Sequence, residues 1–205
     1  MITLQDAIDH LYELAVRQGK AQSPARLKVL ADYCIQELAA RGVTGALSEQ
    51  NVPGGGREKS WDVAWFHQGK YRLAISLKSI LTNLAGTVPN RIDDLMGETA
   101  NAQLYSPEIV IGYVMILNVA SDAHSAKHSS TWSELLKSRL SLLSGRRPPA
   151  WTIGTVEAFA FVEVDFSKGP AIGPGTTSFE RFFDALVEQV KLRNPGAFPD
   201  APTSS

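Results

Sequence analysis

The chain predicts an α/β fold in which a mixed central β-sheet is flanked by helices. Three patterns predict it. The first forty residues carry apolar positions at helical spacing, and the middle holds two alternating runs joined by a turn. Residues 109–119 are apolar almost throughout, as in a strand covered on both faces, and helical patterns recur beyond them.

Leu4, Ile8, Leu11, Tyr12 and Ala15 share one helical face, and Gly19 lies where that helix would stop. Ser23-Pro24 has the form of an N-cap followed by proline at the first helical position. Leu27, Leu30, Ala31, Ile35 and Leu38 then carry the apolar stripe to Gly42. Residues 1–42 thus form a helical part ahead of the first strand. Past the loop Pro53-Gly54-Gly55-Gly56, residues 61–66 and 71–79 read as strands of a hairpin turning at His67-Gln68-Gly69-Lys70. A helix from Asn90 to about Leu104 precedes the buried strand 109–119. A helix over 132–143, a strand over 156–166 and a closing helix over 179–192 complete the pattern. Arg146-Arg147-Pro148-Pro149 reads as a connection or an arm. Residues 1–193 form one domain, and 194–205, rich in proline, serine and alanine, are expected to be a flexible tail.

A chain of 205 residues, 44% hydrophobic, has room for one domain with a sizeable core and little for a second. No run reaches the roughly 18 apolar residues needed to span a bilayer, since 109–119 is interrupted by Gly112 and Asn118. The opening Met1-Ile2-Thr3-Leu4-Gln5-Asp6 lacks the basic and apolar regions of a secretory signal, so a cytoplasmic location without membrane contact is expected. The single cysteine, Cys34, has no partner for an internal disulfide and falls on an apolar helical face, where packing is the expected role.

A formal charge of −1 argues against a protein that is basic all over. Its distribution is uneven. Residues 54–91 contain six cations (Arg57, Lys59, Lys70, Arg72, Lys78, Arg91) against two anions (Glu58, Asp62), and 127–147 contain five against Glu134 alone. Each segment has an excess of four, enough for local basic patches suited to phosphates.

Asp62 and Lys78 occupy the two strands of the hairpin, and Ser76 and Lys78 share a face by the period of two. Phosphodiester hydrolysis requires a cation to polarise the phosphate, plus groups that stabilise the charge growing on it. Asp62 is a hard oxygen ligand suited to Mg2+, the backbone carbonyl of Leu77 offers another, and Lys78 is placed to orient or activate water. A plain cross-strand ion pair between Asp62 and Lys78 is the alternative.

Trp61-Asp62, Ser76-Leu77-Lys78-Ser79 and Asn90-Arg91-x-Asp93-Asp94 with Gly97 together resemble the core of certain type II restriction endonucleases of the PD-(D/E)xK superfamily. The resemblance covers about residues 54–104, a quarter of the chain. It implies a restriction-endonuclease-like sheet and a Mg2+-dependent, sequence-specific endonuclease acting on double-stranded DNA as a homodimer. Two departures stand out: Ser60-Trp61 in place of the proline, and Ser76 in place of the acid two before the lysine. Some enzymes that the chain resembles also carry serine there and compensate with a carboxylate on the next helix. On a helix starting at Asn90, Asp94 and Glu98 lie one turn apart on one side, with Asp93 on the flank, so either Asp94 or Glu98 is a candidate metal ligand. An acidic first turn would equally suit the helix dipole. Glu49, ahead of the first predicted strand, is a further candidate, since a glutamate from that region often completes the site in the resembling family.

Candidate DNA contacts are Arg57 and Lys59 after the glycine-rich loop, Ser79 beside the lysine, and Asn90 and Arg91 at the predicted helix start. The loop lacks the Gly-Lys-Ser/Thr ending of a P-loop and precedes a strand, so no nucleotide cofactor is expected. His10, His67, His124 and His128 are scattered and predict no zinc site, and no Gly-x-Ser-x-Gly elbow is present. Two other functions stay open: a catalytically silent, nuclease-like DNA-binding module, and a structure-specific repair or junction nuclease.

Overall fold

The computed structural model describes residues 1–198. It has the expected α/β architecture, a five-stranded mixed sheet between two helical layers. The chain opens with α1 (Leu4–Tyr12), capped reciprocally by Thr3 and Asp6 and extended by one wider turn over Glu13–Arg17. A tight 3-10 turn at Pro24–Leu27 leads into α2 (Lys28–Ala40). Next come β1 (Leu47–Val52), β2 (Lys59–His67), β3 (Lys70–Ile80), α3 (Leu84–Tyr105) and β4 (Val110–Asn118). A two-stranded ribbon, β5 (His124–Ser125) with β6 (Ser130–Thr131), precedes α4 (Trp132–Leu142), β7 (Ala158–Val164) and α5 (Phe179–Arg193).

The sheet order is β1-β2-β3-β4-β7. β1, β2 and β3 pair antiparallel, whereas β3, β4 and β7 pair parallel, the latter joined by crossovers that contain α3 and α4. The first eight residues of β4 are buried, in agreement with its continuous apolar sequence and central place. Leu73, Ile75, Leu77, Val110 and Val114 pack with α1, α2 and α5 on one face. Ala74, Ile80, Ile111, Tyr113 and Met115 pack with α3 and α4 on the other. Gln68-Gly69 closes the β2–β3 hairpin with both residues at positive φ, the turn geometry that matches strand twist.

Several boundaries differ from expectation, each for a physical reason. Leu47–Val52 is a strand, β1, so Glu49 lies on a strand and not ahead of the first one; the segment is polar because it forms an edge with exposed Leu47, Glu49 and Asn51. α3 begins at Leu84, not Asn90. Pro89 lies inside it, because Leu84 and Val88 are buried in the second core layer and hold the first turns in place. Ser23 makes no side-chain cap. The domain runs past residue 193: Asn194 is buried, Pro195–Ala197 forms a 3-10 turn, and Phe198 packs against Trp65. Residues 194–198 are therefore part of the fold, and the rest of the expected tail lies outside the described residues.

Arg146 belongs to no basic surface patch. It is buried and pairs with Glu157, which also binds Arg193. Cys34 is fully buried in the first core layer and burial pushes its thiol far up, as a packing role requires. Among the described residues, no helix is long and apolar enough to cross a membrane.

Candidate active site

The hairpin builds the site by letting its strands part. Pairing of β2 with β3 runs from His67–Lys70 to Val63–Ile75 and ends there. Beyond it, the Leu77 N–H donates to Asp62 Oδ2 at 2.7 Å. A side chain thus takes over a backbone bond of the ladder, which fixes Asp62 in orientation. Burial pushes the Asp62 carboxyl above its ordinary range. The Leu77 N–H and the Lys78 ammonium oppose that shift, and the Glu98 carboxylate adds to it.

A carboxylate from α3 meets the end of β3. Ser76 Oγ donates to Glu98 Oε2 at 3.4 Å, and Lys78 Nζ lies 3.6 Å from the same oxygen. Lys59, from the start of β2, pairs with Oε1 of Glu98. The Glu98 side chain is only 12% exposed, so these contacts hold it between α3 and the sheet and not in open solvent. Ser76, two before Lys78, is therefore in contact with a carboxylate from α3.

Position along α3, not helix phase, separates the two helix carboxylates. Asp94 lies one turn closer to the N-terminus, is 45% exposed, and is engaged by Arg91 at 2.7 Å, so it stays outside the cluster. Asp93 is exposed on the flank. Glu49 stands across from Asp62 in the β1–β2 register, between the pairs Ser48–Val63 and Gln50–Trp61. Its backbone takes a positive φ of 52°, an uncommon conformation for a residue other than glycine. Glu49 and Asp62 border one cleft of ≈ 420 Å³ between the start of α2 and the β1–β2 edge.

The predicted DNA-contacting residues divide. Lys59 belongs to the Glu98 cluster instead of a free loop. Arg57 is exposed beside the glycine-rich loop, which is fastened to α3: Asn101 Oδ1 accepts the N–H groups of Gly56 and Arg57, and Asn101 Nδ2 donates to Arg57 O. Gly54 is needed for this contact, since a Cβ there would collide with the Asn101 amide and the Arg57 carbonyl. Ser79 and Arg91 line a second, smaller cleft together with Arg26. Asn90 lies within α3, exposed, with Nδ2 donating to Gly86 O.

Two groups at the site escaped the sequence reading. Tyr113, on β4 directly across from Ser76, is buried, and its hydroxyl has no hydrogen-bond partner among the described residues. Burial raises its pKa strongly, and the nearby Glu98 carboxylate adds to the effect. Arg26 reaches the end of β3, where its Nε donates to Ser79 Oγ at 3.4 Å. Neither has a local sequence signal, because both arrive through topology from outside the hairpin and α3.

The donor set near Asp62 and Glu98 is oxygen-rich. Two carboxylates and the Leu77 carbonyl fit a hard cation such as Mg2+, which uses one or two carboxylates and keeps several waters. No three acidic, histidine or cysteine side chains are grouped closely enough to hold a metal among the described residues, so Glu98 would have to exchange part of its lysine contacts for the ion. No family model matches this chain, and comparisons with curated proteins and with solved structures return no match.

Proposed function

We propose that this chain is a Mg2+-dependent endonuclease that hydrolyses phosphodiester bonds in double-stranded DNA at specific sequences, with a restriction-endonuclease-like site. One observation carries the reading: Glu98 on α3 docks on Ser76 and Lys78, near the half-buried Asp62, and so supplies the acid that the strand motif lacks. Asp62, Glu98 and the Leu77 carbonyl would hold the ion. When bound, the divalent cation supplies positive charge that polarises the phosphate and favours deprotonation of water.

The remaining chemistry falls to the side chains. Lys78, in contact with Glu98, orients the water whose oxygen bonds to phosphorus while the bond to the sugar oxygen breaks. Lys78 and Lys59 together offset negative charge that grows on the phosphate oxygens. A sheet face that is partly closed by α3 makes these charges count more than they would in open water. A homodimer follows from the two-fold symmetry of DNA, with each copy cutting one strand. DNA as substrate and a reduced, buried Cys34 fit a cytoplasmic protein.

The test is incubation of the protein with mixed-sequence plasmid and Mg2+, followed by sequencing of the ends. Discrete cut sites, lost on chelation and lost in Asp62→Ala and Lys78→Ala, are expected. Intact plasmid would overturn the enzyme reading in favour of a silent DNA-binding module, and nicks confined to branched DNA would indicate a junction nuclease.

A further inference from the structure

Beside the Asp62–Lys78–Glu98 cluster lies a second polar cleft, of ≈ 170 Å³, which that cluster does not use. Two arginines line it. Arg26 comes from the 3-10 turn before α2, and Arg91 from the second turn of α3. Ser79, Thr82, Thr87 and Gln22 complete its polar wall.

Like charges do not gather in a half-buried cleft without a reason. Arg26 is held there by donating to Ser23 O at 2.9 Å and to Ser79 Oγ, and neither partner neutralises it. Burial lowers its pKa and the neighbouring Arg91 lowers it further, with only Asp62 acting the other way. Arg91 gives one nitrogen, Nη1, to Asp94, while its Nε is buried with no partner among the described residues. The cleft therefore presents two guanidinium groups and three hydroxyls. It also adjoins the start of the 22-residue α3, whose cap Asn83 takes the Gly86 N–H. The N–H groups of the first turn add to the positive potential.

The geometry points to a binding site for a phosphate of the DNA backbone, next to the phosphate that is cut. Planar, forked guanidinium donors match the oxygens of a phosphodiester. Position supports the assignment: Ser79 follows Lys78 on β3, with its side chain on the opposite face by the period of two, so an anion held by Arg26 and Ser79 sits where β3 ends, around the strand from Lys78. Arg26 is then a positioning residue that sets the strand in register, and Arg91 acts with it. The identity of the anion rests on the nuclease reading above; the existence of an anion site does not.

Binding of a mixed-sequence duplex, in Ca2+ in place of Mg2+, tests this over a range of salt concentrations. Arg26→Gln should weaken binding roughly tenfold or more. It should also make the plot of log affinity against log salt shallower by about 0.9, the change expected when one phosphate is no longer neutralised. Arg26→Lys keeps the charge, so it should keep the slope and recover part of the affinity. Thermal unfolding of both variants at the wild-type temperature confirms that the fold is intact. Wild-type affinity and slope in Arg26→Gln, or no duplex binding by the wild type, would overturn the phosphate site. A wild type that cuts plasmid while Arg26→Gln binds normally rejects this site alone. A wild type that binds through Arg26 and never cuts rejects the nuclease reading alone.

Discussion

At the scale of residues, the site depends on two carboxylates held in unlike ways. Glu98 is restrained by Ser76, Lys78 and Lys59, whereas Asp94 is spent on an exposed i,i+3 pair with Arg91. Glu98→Gln should therefore reduce cleavage by roughly two orders of magnitude or more, the scale on which removal of one charge-organising group acts. Asp94→Ala should leave the rate within a few-fold, and stability within about 0.5 kcal/mol, as for other exposed pairs. Single-turnover cleavage by the two variants checks this, and equal losses would remove Glu98 from its role. Asp62 makes a prediction through pH. Its raised pKa means that the folded chain binds the proton more tightly than the unfolded chain, so ionisation costs stability. The contribution is fully present below the unfolded pKa of about 3.9 and is lost as pH rises through the folded value. Asp62→Asn, which can still accept the Leu77 N–H, should be inactive and yet melt a few degrees above the wild type at pH 7. The gap should close as pH falls toward 4. A variant that melts lower at neutral pH would show that the carboxylate is not held at a cost.

At the scale of elements, α3 organises the site, because one helix face carries both Glu98 and Asn101. Asn101 fastens the glycine-rich loop, and the loop leads directly into Lys59. Asn101→Ala should loosen residues 54–57, cost about 0.5–1.5 kcal/mol because the exposed loop amides turn to water, and lower activity through Lys59 without touching the reacting groups. Faster hydrogen exchange confined to that loop would confirm the route, and unchanged exchange would exclude it. The same helix shows what could be read in advance. The hairpin, the buried β4 and the two helix carboxylates were legible, because periods of two and of 3.6 are local properties of sequence. The start of α3 was not, since Pro89 reads as a helix boundary until the burial of Leu84 and Val88 is known. β1 was hidden by its polar edge residues and by Glu49 at positive φ. The choice of Glu98 over Asp94 needed the position of Arg91, and Arg26 needed the packing of the N-terminal helices against the end of β3.

At the scale of the whole molecule, the largest buried ion cluster and the proposed site occupy different ends of the sheet. Glu157, just before β7, accepts the Ile111 N–H at 2.6 Å and pairs with Arg146 at 3.0 Å and Arg193 at 2.8 Å. Both guanidinium groups lie over the ring of Trp151, at 5.0 and 4.4 Å. This buried group joins the start of β4 to the end of α5 and to the segment after α4. Ile111 pairs with Ala74, four residues before Lys78 on β3, so the ion cluster lies roughly 13 Å along the strand from Lys78. Removal of Glu157 would leave two arginines buried without their shared anion, a loss of about 3–5 kcal/mol for a broken buried pair. For a chain of this length that corresponds to a fall in Tm on the order of 10 °C. Glu157→Ala should show that fall by calorimetry and, assayed well below its Tm, should cut DNA with wild-type kcat/KM and wild-type metal dependence. Loss of cleavage in a variant that is still folded would mean that the two ends of the sheet are coupled, and that the Arg146–Glu157–Arg193 group has a part in placing Lys78.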